Sequence, residues 1–339
     1  MKRRLFLHAG SGKTGTSTIQ LFLSSNRAAL ASRGYYYPRT PGTHRHKLLS
    51  WAARTEAEFR KFTALQASHN RLGYLWNLFR FRNHEDLRGW LRKALEKELD
   101  SANQPNVVMS DEGLFSLVGP EFSRLDQLIG DLFDQIVILV YLRRQDEQVL
   151  SRYKQSLREG RTHTLDEIID RRPRHLNYFD RLRNLRDDFP GYEIRARAYS
   201  KSRFADKPLI ADLLDSLEID GAQGFEIPQE EHNPSLDAIC AEYLRRHNQS
   251  RGAMNRRQLN KLLRLATGPD FYFSGEDRTR FMANFEASNR KLVEQFLPDA
   301  EDVFLAPPPE IEGIAQSSIT DSDLLAIERR MKRRVIAPR

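Results

Sequence analysis

The stretch "LHAGSGKTGTSTIQ", residues 7–20, follows the short basic and apolar lead "MKRRLF" and decides how the rest is read. An apolar run that closes in a glycine-rich turn and opens into a Thr/Ser-rich helix start is a ready anion site. N–H groups left unpaired at the helix N-terminus face the ligand, and the helix dipole favours negative charge. Two familiar loops compete for the stretch. Gly10-x-Gly12-x-x-Gly15 fits the dinucleotide fingerprint, and Gly12-Lys13-Thr14 fits the end of a nucleoside-triphosphatase P-loop. Neither fits whole. The P-loop needs a glycine five residues before Gly12, where Leu7 stands inside the strand. The dinucleotide fold needs a carboxylate after the second strand, where "YYYPRTPGTH" (35–44) offers Arg39, suited at most to a phosphorylated dinucleotide. "VVMSDE" (107–112) could imitate a magnesium-binding strand end, which keeps a P-loop kinase or other nucleotide-binding protein as the alternative.

The chain of 339 residues is long enough for one large α/β domain or a core with a helical addition. Its 40% hydrophobic and 29% charged residues belong to a folded protein, without low-complexity tracts or internal repeats. The single cysteine, Cys240, rules out an internal disulfide and fits a reducing compartment. The apolar part of the N-terminal lead is too short for a signal peptide and reads as a buried first strand, so a cytoplasmic location is expected. No apolar run is long enough to span a membrane. The net charge of +8 is carried largely by arginine, which suits planar oxyanions. These charges gather in loops beside strands instead of forming a stripe with interleaved aromatics, so nucleic acid is not the expected partner.

Four segments read as buried strands: Arg4–His8, Asn106–Ser110, Gln135–Leu142 and Tyr192–Tyr199, with a weaker fifth at 34–38. Helical patterns alternate with them at Thr16–Ala31, Glu85–Leu99 (Leu87, Leu91, Leu95 and Leu99 on one face) and Arg144–Glu159. The alternation predicts an α/β fold, a P-loop-NTPase-like three-layer sandwich with a central parallel sheet. Residues 40–104 are too long for a connection and read as a helical insertion rich in aromatics: Trp51, Phe59, Phe62, Tyr74, Trp76, Phe79, Phe81 and Trp90. Beyond about residue 205 only helices are expected, at 206–217, 234–250, 255–266 and 276–296. "APPPE" (306–310) ends the domain of residues 1–300 and leaves 306–339 as a tail, whose basic run Arg329–Arg334 is most simply a solvated helix end.

Lys13, with hydroxyls at Thr14, Thr16, Ser17 and Thr18, is more oxyanion chemistry than a pyrophosphate turn requires. "GSGKTGTSTIQ" resembles the 5′-phosphosulfate loop of sulfotransferases, with Gly12 where a proline often precedes the lysine. "YLRRQDEQVLSRYKQ" (141–155) resembles that family's 3′-phosphate motif, an Arg at a strand end (Arg143) and a Ser on the following helix (Ser151). The segments 177–204 and 285–297 are more loosely similar to bacterial carbohydrate-type sulfotransferases, so the resemblance spans most of residues 1–300.

The resemblance implies transfer of a sulfuryl group from 3′-phosphoadenosine 5′-phosphosulfate to a hydroxyl or amine, with a saccharide or glycolipid as the implied acceptor and no metal. Gly12, Lys13, Thr14, Gly15, Thr16, Ser17 and Thr18 would cradle the phosphosulfate, Arg143 and Ser151 would hold the 3′-phosphate, and Lys13 would neutralise the departing phosphate. "GTHRHKLL" (42–49) lies where related enzymes carry a catalytic Glu or His. That makes His46 and His44 candidate bases; Glu112, in "SDEGLF" just after the next strand and facing the same crevice, is a third, able to act as base or to orient the acceptor. The insertion would cover the acceptor, or its aromatics simply pack its own core.

Overall fold

A computed structural model describes residues 2–61, 81–170, 174–228, 235–269, 273, 275–307 and 314–332. β1 (Arg4–Ala9), the apolar run that leads into the quoted loop, is the middle strand of a five-stranded sheet. Its companions are β2 (Tyr35–Tyr36), β3 (Asn106–Asp111), β4 (Gln135–Arg143) and β5 (Tyr192–Tyr199), in the order β2-β3-β1-β4-β5. β1 runs parallel to β3, from Arg4 opposite Asn106 to Ala9 opposite Asp111, and parallel to β4 on its other side. β2 runs parallel to β3.

The principal helices are, in chain order, α1 (Thr16–Ser25), α2 (Lys47–Ala53), α3 (His84–Asp100), α4 (Gly119–Ile129), α5 (Gln145–Arg158), α6 (Leu209–Ser216), α7 (Ala238–Arg251), α8 (Arg256–Leu265), α9 (Gly275–Ala283), α10 (Glu286–Phe296) and α11 (Asp321–Lys332). The chain divides into two units: Met1–Leu142 with Asp180–Glu230, and Arg143–Phe179 with Glu231–Arg339.

In the first unit the period-two alternation of the strands makes three layers. Leu5, Leu7 and Ala9 of β1, with Val107, Met109, Ile136 and Ile138, pack under α2, α3 and α4, where Leu87, Leu91, Leu95 and Leu99 form the expected stripe. Phe6, Val108, Val137, Leu139 and Tyr141 point the other way, onto Ile19, Phe22 and Leu23 of α1 and Leu209, Leu213 and Leu214 of α6. Burial of both faces explains the nearly unbroken apolar runs of β1 and β4.

Several expectations need correction. β5 is half-buried, not buried: it is the edge strand, and Arg195 on it reaches Glu193 at 2.5 Å and Glu218 at 2.6 Å, charges that suit an edge. The helix expected over Thr16–Ala31 breaks at Asn26, whose amide donates to Phe22 O (2.9 Å) and Glu226 O (2.8 Å) while accepting from Glu226 N–H (2.7 Å). A short helix, Arg27–Ala31, follows. The helix expected over 276–296 is likewise two, α9 and α10. Of the helices expected after residue 205, α6 covers the sheet and belongs to the first unit. The expected tail carries α11, which buries Leu324 and Ile327.

Within the insertion, Trp51 and Phe59 lie in the core and Phe81 packs on Trp90 with centroids 5.4 Å apart, so these aromatics serve the fold. Phe62, Tyr74, Trp76 and Phe79 lie outside the described residues. Among the described residues no helix is long and apolar enough to cross a membrane.

Candidate functional site

The carboxyl ends of parallel strands are where open α/β sheets bind ligands, and the quoted loop leaves the end of the middle strand. Gly12 (φ 71°), Lys13 (φ 60°) and Gly15 (φ 71°, ψ 12°) all take left-handed backbone, and Gly15 delivers the chain into α1. Two glycines do this without strain; Lys13 does not. Gly15 is required twice over, since a β-carbon there would lie 2.2 Å from Leu209 Cδ2 and 3.2 Å from Tyr199 Cε2. Among the described residues no side chain caps α1, and no acidic residue occupies its first turn, which leaves its positive dipole end suited to an anion.

Thr14 and Thr16 are buried, and among the described residues neither Oγ1 has a hydrogen-bond partner. A buried hydroxyl left in this state costs about 1–3 kcal/mol, which an oxyanion ligand would relieve. Ser11 is accounted for by Tyr141 O, to which its hydroxyl donates at 2.7 Å. Lys13 and Ser17 are exposed and Thr18 half-buried. The loop residues expected at the site are therefore together.

The end of β3 closes one side. Gly10 N–H donates to Asp111 O (3.2 Å), and a β-carbon on Gly10 would lie 3.2 Å from Glu112 Cα, so Glu112 stands beside the loop. Its side chain is exposed, with Oε2 3.9 Å from Arg45 Nη1. Asp111 is wholly buried and fully engaged. Arg45 Nε donates to its Oδ1 at 2.8 Å, Arg45 Nη2 lies 2.8 Å from the same oxygen, and Gly113 N–H donates to Oδ2 at 2.9 Å.

His46 cannot serve as the base in this arrangement. It is fully buried; its Nδ1 accepts from Ser110 N–H (3.0 Å), so the Nε2 proton faces Pro38 O (2.9 Å). Burial pushes its pKa down to about 3, against the pull of the Pro38 carbonyl. Its part is to pin residues 38–46 to β3, which His46 N–H also grips through Ser110 O (2.8 Å). His44 is exposed, its Nδ1 3.3 Å from Ser24 Oγ.

Two residues escaped the sequence reading. Arg45 sits between the two histidines that drew attention, and its partner at 111 is remote in sequence. His8 reads as a strand residue, yet its ring lies buried against Tyr141 with Nδ1 2.8 Å from Ser110 Oγ, and burial lowers its pKa to about 4. Among the described residues its Nε2 has no partner.

In the second unit Arg143 ends β4 and Ser151 lies on α5, half-buried. Arg143 Nε donates to Glu147 Oε2 (2.8 Å), and its carbonyl accepts from Tyr178 Oη (2.9 Å). The strand–helix junction is held by a buried polar cluster. Arg144 makes two 2.8 Å bonds to Asp146, Arg278 Nε lies 3.5 Å from the same carboxylate, and Gln145 and Asn289 exchange amide bonds at 2.7 and 3.2 Å.

The sheet order bears on the dinucleotide reading. That fold places β2 next to β1 so that a carboxylate at its end reaches the ribose; here β3 intervenes. The carboxylate that does stand near the end of β2, Glu98, is taken by Tyr36 Oη (2.9 Å) and the N–H groups of Arg39 (2.7 Å) and Thr40 (2.8 Å).

No family model matches the chain. No solved structure matches it. Among curated proteins it is similar to an uncharacterized protein of Archaeoglobus fulgidus, 27% identical over 236 residues, which cover 67% of this chain and 64% of that protein's own length.

Proposed function

We propose that the chain is a sulfotransferase that moves a sulfuryl group from 3′-phosphoadenosine 5′-phosphosulfate to a hydroxyl or amine, with a carbohydrate or glycolipid as acceptor. One observation carries this over the kinase alternative. The loop presents a lysine and two buried hydroxyls that have no partner among the described residues, whereas the carboxylate at the end of β3 that would hold magnesium, Asp111, is neutralised by Arg45. Charge on the transferred group then falls to lysine, backbone and hydroxyls, which suits the less highly charged sulfuryl group.

In this reading the phosphosulfate lies on residues 12–18. Lys13 donates to the bridging oxygen, where negative charge gathers as the S–O bond breaks, and the backbone N–H groups of α1 steady the phosphate. The 3′-phosphate falls to Arg143 and Ser151. Glu112, beside the loop, takes the acceptor's proton as its oxygen bonds to sulfur; His44 is the second choice.

The test is calorimetric titration of the full chain with 3′-phosphoadenosine 5′-phosphate, the desulfated product. Wild type should bind it more tightly than ATP–magnesium or a nicotinamide dinucleotide. Arg143→Ala and Lys13→Ala should each weaken binding by roughly 10- to 100-fold, the loss of a charge-assisted contact. Binding of ATP–magnesium or a dinucleotide in its place would overturn the proposal.

A further inference from the structure

The second unit carries a surface that the donor site does not use. From residue 243 to 269 the sequence contains Arg245, Arg246, Arg251, Arg256, Arg257, Lys261 and Arg264 and no Asp or Glu. Within that span α8, "RRQLNKLLRL", buries only Leu262 fully, leaves Arg256, Arg257 and Arg264 exposed and has no aromatic residue. Lys261 Nζ donates to Met331 O (2.6 Å), which seats α8 against the last turn of α11. Arg257 and Arg264, one turn to either side of Lys261, flank that contact, and Arg329, Arg330 and Lys332 are exposed on the α11 end of it.

Helix stability does not explain these charges. Basic residues at the C-terminal end of α11 suit its dipole, but Arg256 and Arg257 occupy the first turn of α8, the positive end, where no acidic residue balances them. The surface is not purely ionic either. Leu325 is 51% exposed on α11, and the i, i+4, i+7 spacing puts it on one face with Arg329 and Lys332. An exposed leucine on one helix face with Arg329, beside the exposed arginines of α8, is the interfacial pattern, apolar contact next to cations at headgroup level. A single-stranded nucleic acid would call for stacking aromatics, which α8 lacks.

We propose that this face of α8 and α11 docks on an anionic lipid surface. Full-length protein would be sedimented with phosphatidylcholine vesicles, with and without phosphatidylglycerol. Binding should require phosphatidylglycerol and weaken with salt. Neutralising Arg256, Arg257 and Arg264 to Gln should lower affinity about 100-fold, a few-fold to tenfold per cation. The control triple Lys2→Gln, Lys93→Gln, Lys97→Gln changes net charge equally on the first unit and should have little effect. Arg257→Lys should retain binding and Leu325→Gln should weaken it, with helicity checked by circular dichroism. Equal losses in the two triples would reduce the effect to net charge and overturn the proposal. So would binding of soluble polyphosphate as tight as that of vesicles and indifferent to Leu325→Gln, or absence of vesicle binding.

Discussion

Gly15 and Lys13 share a left-handed backbone, but only the lysine is strained by it. That conformation costs an L-residue about 1–2 kcal/mol, and glycine or asparagine would serve the turn at this exposed position more cheaply. What a lysine adds is its ammonium group. At Gly15 the constraint is steric as well: Gly15→Ala should destabilise the fold by roughly 2–4 kcal/mol, combining left-handed strain with overpacking against Leu209, as read from urea midpoints. The buried histidines make a pH prediction. His46 and His8 are held neutral when folded, with pKa values lowered to about 3 and about 4 from the ordinary 6.5. The unfolded chain therefore takes up their protons first. Their contribution is complete above pH 6.5 and is lost as pH falls toward those values, by up to about 1.4 kcal/mol per pH unit for each. Urea midpoints should fall between about pH 7 and pH 5, and His8→Gln should reduce that slope; a flat wild-type profile would refute it. Sequence could nominate His46 as a base because histidine suits the task. It could not foresee that Ser110 and Pro38 would claim both ring nitrogens.

At the scale of elements, the strand–helix junction at 143–147 illustrates how charge balance decides a mutational effect. Two buried guanidiniums, Arg144 and Arg278, share the carboxylate of Asp146. Asp146→Ala removes the carboxylate that both guanidiniums face and should cost about 3–5 kcal/mol. Arg278→Met leaves a balanced Arg144–Asp146 pair and should cost far less, in the same denaturation measurement. The reverse ranking would mean that Arg278, not Asp146, organises the junction. Strands and the α3 stripe were legible because their apolar periodicity is local. The break at Asn26 was not, since its cause is a backbone segment 200 residues away. β5 was mistaken for an inner strand because an arginine-rich edge and an apolar core strand share β-branched and aromatic residues.

For the whole molecule, the division into units cuts across the sequence. The first unit is interrupted by residues 143–179, which belong with the helices after 230. A fragment ending at residue 230 should therefore hold every strand of the sheet yet fail to fold cleanly. Val149, Leu150, Tyr153 and Leu157 of α5, buried in the full chain, would lose the rest of their unit. Binding of a hydrophobic dye and aggregation on sedimentation would be the expected signs; a monodisperse fragment with a single cooperative unfolding transition would contradict them. No composition shift marks these boundaries, so the sequence carries no local sign of them.

The placement of β1 at the centre of the sheet governs how the molecule comes into being on the ribosome. Its partners lie far along the chain: His8 meets Ser110 across 102 residues, and Arg4 stands opposite Gln135 of β4. At roughly 5–20 residues per second of synthesis, β1 waits on the order of ten seconds for the strands that flank it. During that time "LFLHA" is an unpaired apolar segment with the basic residues Lys2, Arg3 and Arg4 just ahead of it. Those three cations then act as a gatekeeper against aggregation. The lysine loop, though translated early, acquires its shape only after most of the first unit exists.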